Sequence, residues 1–257
     1  MTGPALEIGG LTMRFGGVTA IDDLTLAVPA KKIVGLIGPN GAGKTTVFNV
    51  ITGFYRPEAG RVNLGGQGLL GLPPQRICAL GVARTFQNIR LFHQGTVLEN
   101  VMVGCHVRRR CGWWMAPLLL PAFLREEKAI QHKALALLSR LKLDHLAREN
   151  AASLPYGAQR RLEIARALAT DPALLLLDEP AAGMNPQESQ ELVRFIEEVR
   201  EDFDLTILMI EHDMKVVMGV CAHIWVLDYG RLIADGGPAE IRRHPEVIAA
   251  YLGHGHA

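Results

Sequence analysis

An α/β fold, a mostly parallel sheet layered between helices, is predicted by three observations on the 257-residue chain. The apolar strand Ile33–Ile37 runs into Gly38-Pro39-Asn40-Gly41-Ala42-Gly43-Lys44-Thr45, and a helix begins at Thr46 directly after it. A second apolar run at 173–177 ends in Asp178-Glu179. Between and beyond these, short β-type runs alternate with helical-period segments, the pattern of a sheet covered by helices.

Taken in order, residues 6–8 and 20–28 read as short strands joined through Gly16-Gly17, and Pro29-Ala30-Lys31-Lys32 as a tight turn into the strand at 33–37. Residues 60–64 form another small strand and 81–86 a further core strand, with Gln87 at its end. From 97 to about 148 the pattern becomes helical. Ile130, Ala134, Leu137, Leu138 and Leu141 recur at spacings of three and four within 126–143, an amphipathic stripe. A helix over 157–170 is stopped by Asp171-Pro172, because the residue before proline disfavours the α region. The run at 173–177 suits a strand buried on both faces. A helix (186–201), a strand (205–210), a short helix (213–220) and strands at 224–228 and 232–233 complete the sheet, the last as a candidate antiparallel edge.

The glycine loop has the composition of a phosphate cradle. Glycines let successive backbone N–H groups point at one anion at a helix N-terminus. Lys44 can reach the β- and γ-phosphates, and the Thr45 hydroxyl is placed for Mg²⁺. Asp178, ending a buried strand, is the candidate metal carboxylate, and Glu179 can polarise an attacking water. His212, just past the strand at 205–210, can hydrogen-bond the γ-phosphate or that water. A strand-end Gln87 can ligate Mg²⁺ or position water, although by itself such a residue also suits a structural role. Phe15 offers a face for adenine, with core packing the rival reading, and Val18 can line the same base site.

Composition sets limits. With 27 Lys plus Arg against 26 Asp plus Glu, there is no basic excess of the kind that wraps nucleic acid, so none is expected as a partner. Hydrophobic residues make up 49% and mean hydropathy is +0.15, which suits a packed core with an apolar docking face. Cys78, Cys105, Cys111 and Cys221 lack metal-ligand spacing and read as reduced thiols. No signal segment opens the chain. The most apolar stretch, 111–124, is broken by Pro117 and Pro121 and falls short of the ~20 residues a membrane helix needs. A protein soluble by itself is expected, with a frayed end at 254–257. Arg108-Arg109-Arg110 beside Trp113-Trp114 can face lipid headgroups or a membrane subunit, or form a solvated loop.

Together these segments resemble the ATP-binding subunits of ABC transporters, and within them those of branched-chain amino acid importers. Walker A is 38–45, Walker B with its acid 174–179, the Q-loop glutamine Gln87, the D-loop Ala182-Gly183-Met184-Asn185 and the switch histidine His212. The narrower resemblance is carried by FNVITGFYRP (48–57), RTFQNIRLF (84–92), TVLENVMVG (96–104), EHDMKVVMG (211–219) and PEVIAAYLG (245–253). It implies a P-loop NTPase (RecA-like) ABC ATPase core over 1–95 and 160–257, including an antiparallel β subdomain, with a helical subdomain inserted at 96–159. It implies ATP held by Phe15, Val18, Asn40, Gly41, Gly43, Lys44, Thr45 and Thr46, Mg²⁺ held by Thr45, Gln87 and Asp178, and catalysis by Glu179, His212, Gln87 and Lys44.

In this family two such subunits meet head to tail, so Tyr156 and Gly157 would touch the partner's ATP. The signature segment Leu154-Pro155-Tyr156-Gly157-Ala158 departs from the usual Leu-Ser-Gly-Gly-Gln at three positions. Pro155 lacks a hydroxyl and an N–H, and Ala158 lacks a polar contact. The expectation is a heterodimer of unequal sites, with a homodimer for the isolated chain. Further implied partners are two transmembrane permease subunits, with Leu91 and Phe92 as candidate docking contacts and core packing the equal rival for Phe92, and indirectly an extracytoplasmic solute-binding protein. The implied location is the cytoplasmic face of the inner or plasma membrane. An ABC ATPase for an amide, urea or another amino acid, or a regulatory subunit with little turnover, stays open. A GTPase is excluded for want of an Asn-Lys-x-Asp segment.

Overall fold

A computed structural model describes residues 5–108 and 121–253. Strands β1 (Leu6–Phe15) and β2 (Val18–Val28) form a hairpin across Gly16-Gly17. Strand β1 is far longer than 6–8. A register shift between Ile8 and Leu11, with Gly10 at φ +60°, moves the inward set from Leu6 and Ile8 to Leu11 and Met13 and so hides the period-2 pattern. With β4 (Ala59–Leu64) and β5 (Gln67–Gly68) the hairpin makes an antiparallel sheet in the order β2-β1-β4-β5.

The second sheet holds the site. It comprises β3 (Ile33–Ile37), β6 (Val82–Arg84), β7 (Leu174–Asp178), β8 (Thr206–Ile210), β9 (His223–Asp228) and β10 (Arg231–Gly236), in the order β10-β9-β3-β8-β7-β6. All pairs are parallel except β9–β10, the antiparallel edge. Alternate side chains serve two separate cores. Ile33, Ile37, Leu175, Leu177, Ile207 and Met209 face one, while Val34, Leu36, Leu174, Leu176, Leu208 and Ile210 face the other. This double burial is why these strands read as unbroken apolar runs.

Helices α1 (Lys44–Ile51) and α2 (Pro74–Ala79) belong with the second core, through Phe48, Ile51 and Ile77. Helix α3 (Val97–Cys105) packs against both α4 (Pro121–Arg140) and α5 (Tyr156–Leu168). The stripe Ile130, Ala134, Leu137, Leu138 and Leu141 is buried there, as its spacing predicts. Thr96 caps α3 in a reciprocal capping box with Glu99. Helix α5 ends at Leu168, ahead of Asp171-Pro172, and Asp171 adopts φ +53°. Helices α6 (Pro186–Asp202), α7 (Met214–Val220), α8 (Pro238–Ile241) and α9 (Pro245–Gly253) complete the fold. Among the described residues no helix is long and apolar enough to cross a membrane. Arg109, Arg110, Trp113 and Trp114 lie outside the described residues, as do 254–257.

Candidate functional site

The parallel strands β3, β7 and β8 end side by side, and the candidate residues follow from those ends. After β3 the chain wraps through Gly38 to Gly43 into α1, whose N-cap is Gly43 at φ +101°. A Cβ on Gly43 would lie 2.4 Å from the Ala20 carbonyl oxygen, and one on Gly38 (φ +150°) 2.1 Å from that of Leu227. Only glycine fits at either place, and the resulting curl leaves first-turn N–H groups of α1 as anion donors.

Lys44 folds back over this curl. Its Nζ donates to the carbonyls of Gly38 at 2.7 Å and Pro39 at 2.8 Å. Burial lowers its pKa, partly offset by the Glu179 and Asp178 carboxylates. Its ammonium is therefore held beside the two acids with backbone acceptors that a phosphate can replace. Asn40, Gly41 and Thr45 are exposed, and Gly43 and Thr46 half-buried, along the same turn.

Asp178 is buried at the end of β7 and paired with Arg84 Nη2 at 2.7 Å. Arg84 Nη1 donates to Asn49 Oδ1 at 2.7 Å, and its guanidinium carbon lies 5.4 Å from the Phe48 ring centre and 5.1 Å from that of Phe86. Glu179 takes the left-handed conformation, φ +46°, with its N–H bound to Ile210 O at 2.9 Å. A non-glycine residue in that region is strained. The turn aims the carboxylate at two neighbours: Gln87 Nε2 donates to Glu179 Oε2 at 2.8 Å, and His212 Nδ1 is 3.6 Å from the same oxygen. Gln87 and His212, from two separate loops, thus converge on one carboxylate oxygen of Glu179, just past the end of β7.

Some placements differ from expectation. Strand β6 stops at Arg84, so Gln87 lies in a loop rather than at a strand end. Thr85 N–H still reaches Leu176 O, but Phe86 and Arg90 N–H turn to Glu163, and Phe86 and Gln87 C=O to Arg160. Side chains of α5 capture the backbone groups that would have extended the sheet. Leu91 is buried in the core, while Phe92 is 55% exposed. Phe15 packs edge-on against Tyr55, ring centres 5.1 Å apart, and Val18 beside it is open to solvent. Tyr156 and Gly157 open α5, where Tyr156 Oη donates to Ala182 O at 3.1 Å.

Four partners were not singled out from sequence: Arg84, Arg160, Glu163 and Glu211. Glu211 is buried and accepts from the N–H groups of Ala181 at 2.8 Å and His212 at 3.1 Å. It ties the turn after Glu179 to the loop carrying His212. Desolvation raises its pKa against the pull of these hydrogen bonds. The available signal was charge inside otherwise apolar contexts, as at Glu163 within the run Leu162 to Ala165.

A glycine curl between strand and helix, with the next strand but one in the sheet ending in a buried carboxylate, defines a P-loop NTPase. Comparison narrows the class. The family described as ABC transporter matches residues 21–182, and one described as branched-chain amino acid ATP-binding cassette transporter matches 231–257. The high-affinity branched-chain amino acid transport ATP-binding protein LivG of Salmonella typhimurium is 49% identical over 98% of this chain and 99% of its own length. BraF of Pseudomonas aeruginosa, of the same description, is 48% identical over the same shares. A crystal structure of an ATP-binding cassette of an ABC transporter in its ADP conformation superimposes with TM-score 0.85 at 31% identity, covering 97% of this chain and 99% of that one. The chain belongs to the ABC transporter family, as an ATP-hydrolysing subunit.

Proposed function

We propose that this chain hydrolyses ATP to power import of branched-chain amino acids through a membrane permease. The observation that carries the hydrolytic part is the convergence of Gln87 and His212 on Glu179 Oε2, next to Lys44 and the glycine curl. The near-full-length likeness to LivG and BraF, with the C-terminal family match, supports the cargo.

The geometry supports the following roles. Backbone N–H groups over Asn40 to Thr46, with Lys44 Nζ, hold the phosphates, and Phe15 and Val18 border the base. Glu179 accepts a proton from the attacking water; Gln87 and His212 fix its carboxylate and sense the γ-phosphate. A glycine curl that a Cβ would fill, with a hydroxyl and a carboxylate at its edges, suits Mg²⁺-nucleotide. Thr45, Asp178 and Gln87 would hold Mg²⁺, which neutralises developing phosphate charge when bound.

In the assembly we read, Tyr156 and Gly157 complete the partner subunit's ATP site, and nucleotide closes two subunits that reopen after hydrolysis. The segment Pro155 to Ala158, with Pro155 and Tyr156 exposed and Gly157 and Ala158 half-buried, lacks the usual serine and glutamine and so supports a heterodimer of unequal sites. Residues 96–159 act as a lobe relaying closure to two permease subunits at the cytoplasmic membrane face, fed by an extracytoplasmic binding protein. The docking place is a cavity of about 370 Å³ lined by Phe86, Phe92, Val103, Val107 and Arg166.

Solute-stimulated phosphate release by the reconstituted transporter tests this reading. Stimulation by leucine, isoleucine or valine is expected, and stimulation only by an unrelated solute defeats it. Equal losses from Lys44→Ala and from the same change in the partner would defeat the inequality of sites.

A further inference from the structure

Arg160 and Glu163 lie one turn apart on α5, with side chains 0% and 1% exposed, and pair at 2.8 Å. A buried ion pair is tolerable only when its remaining hydrogen-bonding capacity is satisfied. Here a loop far away in sequence satisfies it. Arg160 Nη1 donates to Phe86 O at 2.7 Å and Nη2 to Gln87 O at 2.8 Å. Glu163 Oε1 accepts from Phe86 N–H at 3.4 Å and Arg90 N–H at 3.2 Å. The backbone entering and leaving Gln87 is thus gripped from both sides by one helix turn.

The grip has an outer handle. Arg160 Nη2 also donates to Tyr156 Oη at 3.3 Å, and Tyr156 is 42% exposed at the start of α5. Inward, the gripped Gln87 donates to Glu179. Stability alone does not account for the arrangement. Arg160 Nε is buried without a partner, and an apolar pair of similar volume would avoid that cost.

We propose that Arg160 and Glu163 are a positioning clamp that sets Gln87 against Glu179 and links that setting to the Tyr156 end of α5. Within one chain, the end of the helix that meets a partner would then bias the chain's own hydrolytic acid. This inference rests on the hydrolytic roles of Gln87 and Glu179 proposed above.

The test uses the full chain carrying Arg160→Met with Glu163→Leu, which keeps volume and leaves no lone buried charge. Amide exchange is followed in the nucleotide-free chain, and KM and kcat for ATP in the assembled transporter. Exchange at the Phe86 and Arg90 amides should quicken about tenfold or more, because those N–H groups lose their acceptor. kcat should fall by about ten- to a hundredfold with KM for ATP little changed, the split expected when an acid is mispositioned but binding survives. Unchanged exchange, or a kcat equal to the parent's, overturns the clamp. If the double variant does not fold, Arg160→Lys takes its place, since lysine keeps the charge but cannot hold both carbonyls; it leaves Glu163 as the acceptor of the Phe86 and Arg90 amides, so kcat decides there, and a kcat equal to the parent's overturns the clamp. The exchange arm needs no nucleotide, so a failure there indicts the clamp alone. A Glu179→Gln variant with undiminished turnover would instead indict the hydrolytic reading.

Discussion

At the phosphate loop, glycine backbone and a helix terminus shape the site, whereas around Gln87 and Glu179 the shape is set by side chains reaching in from elsewhere. In the first region Gly38 and Gly43 are fixed by carbonyls less than 3 Å from where a Cβ would sit. In the second, Arg84, Arg160, Glu163 and Glu211 hold Asp178 and the loops that carry Gln87 and His212. A cradle that binds a nearly constant phosphate group can be rigid. An acid that, in the role proposed for Glu179, engages and releases water through a cycle is held by contacts that can be remade. The two regions should therefore fail differently when altered.

The largest failure should come at the carboxylate where the side-chain contacts converge. Glu179→Gln keeps the shape but removes the proposed base, and kcat for ATP should fall by about 10²–10⁴-fold. Nucleotide binding, which we assign to the backbone region, should change little. Phosphate release by the assembled transporter, alongside equilibrium nucleotide binding, separates the two regions. Loss of binding equal to the loss of turnover would erase the distinction.

Arg84 comes next, since it and Asp178 are each only 7% exposed. Arg84→Met leaves Asp178 buried without its counter-charge, at a cost of about 3–5 kcal/mol in unfolding free energy. Adding Asp178→Asn should recover much of that, because the uncompensated charge is gone. Urea unfolding of the parent, the two single variants and the double variant gives the coupling. Strictly additive losses would mean that the pair does not hold the end of β7.

This contrast also explains how much was legible beforehand. The cradle was legible because its glycines, Lys44 and Thr45 all fall within eight residues of sequence, even though the carbonyls that require Gly38 and Gly43 come from Leu227 and Ala20. The strands of the parallel sheet were legible because burial on both faces writes an unbroken apolar run. Strand β1 was not, because the shift near Gly10 resets its alternation. Nor was the loop at Gln87, where β6 ends early because α5, more than 70 residues later, captures its N–H and C=O groups. Leu91 and Phe92 were both docking candidates with core packing the rival for Phe92, and only packing shows that the leucine is the buried one and the phenylalanine the exposed one.

On the backbone side, Gly43→Ala sharpens the comparison. Its Cβ would sit 2.4 Å from Ala20 O at φ +101°, so the turn must shift. A loss of about 1–3 kcal/mol in stability is expected from such a conformation, together with weaker nucleotide binding. Thermal unfolding and nucleotide titration check both. A variant that binds as tightly as the parent would show that the curl is less constrained than its contacts indicate.

The smallest effect, and the one with a sign to test, is at Glu211. Burial raises its pKa in the folded chain above the ordinary 4.5, against three backbone N–H bonds and His212 that pull it down. Below pH 4.5 the carboxyl is protonated in both states and costs nothing. As pH rises past that value the unfolded chain releases this proton while the folded chain retains it. The unfolded state then binds fewer protons, so this residue's contribution to stability falls as pH rises through the folded pKa and is level above it. Glu211→Gln does not titrate. Whatever constant offset it carries from lost hydrogen bonds, the difference in unfolding free energy between variant and parent should move in the variant's favour over that window. Urea unfolding of both proteins between about pH 4.5 and 8 measures it, since the other carboxylates cancel in the difference. A flat difference, or one moving toward the parent, would mean that the hydrogen bonds from Ala181, His212 and Asp213 outweigh burial. Glu211 would then belong with the rigid region rather than with the adjustable one.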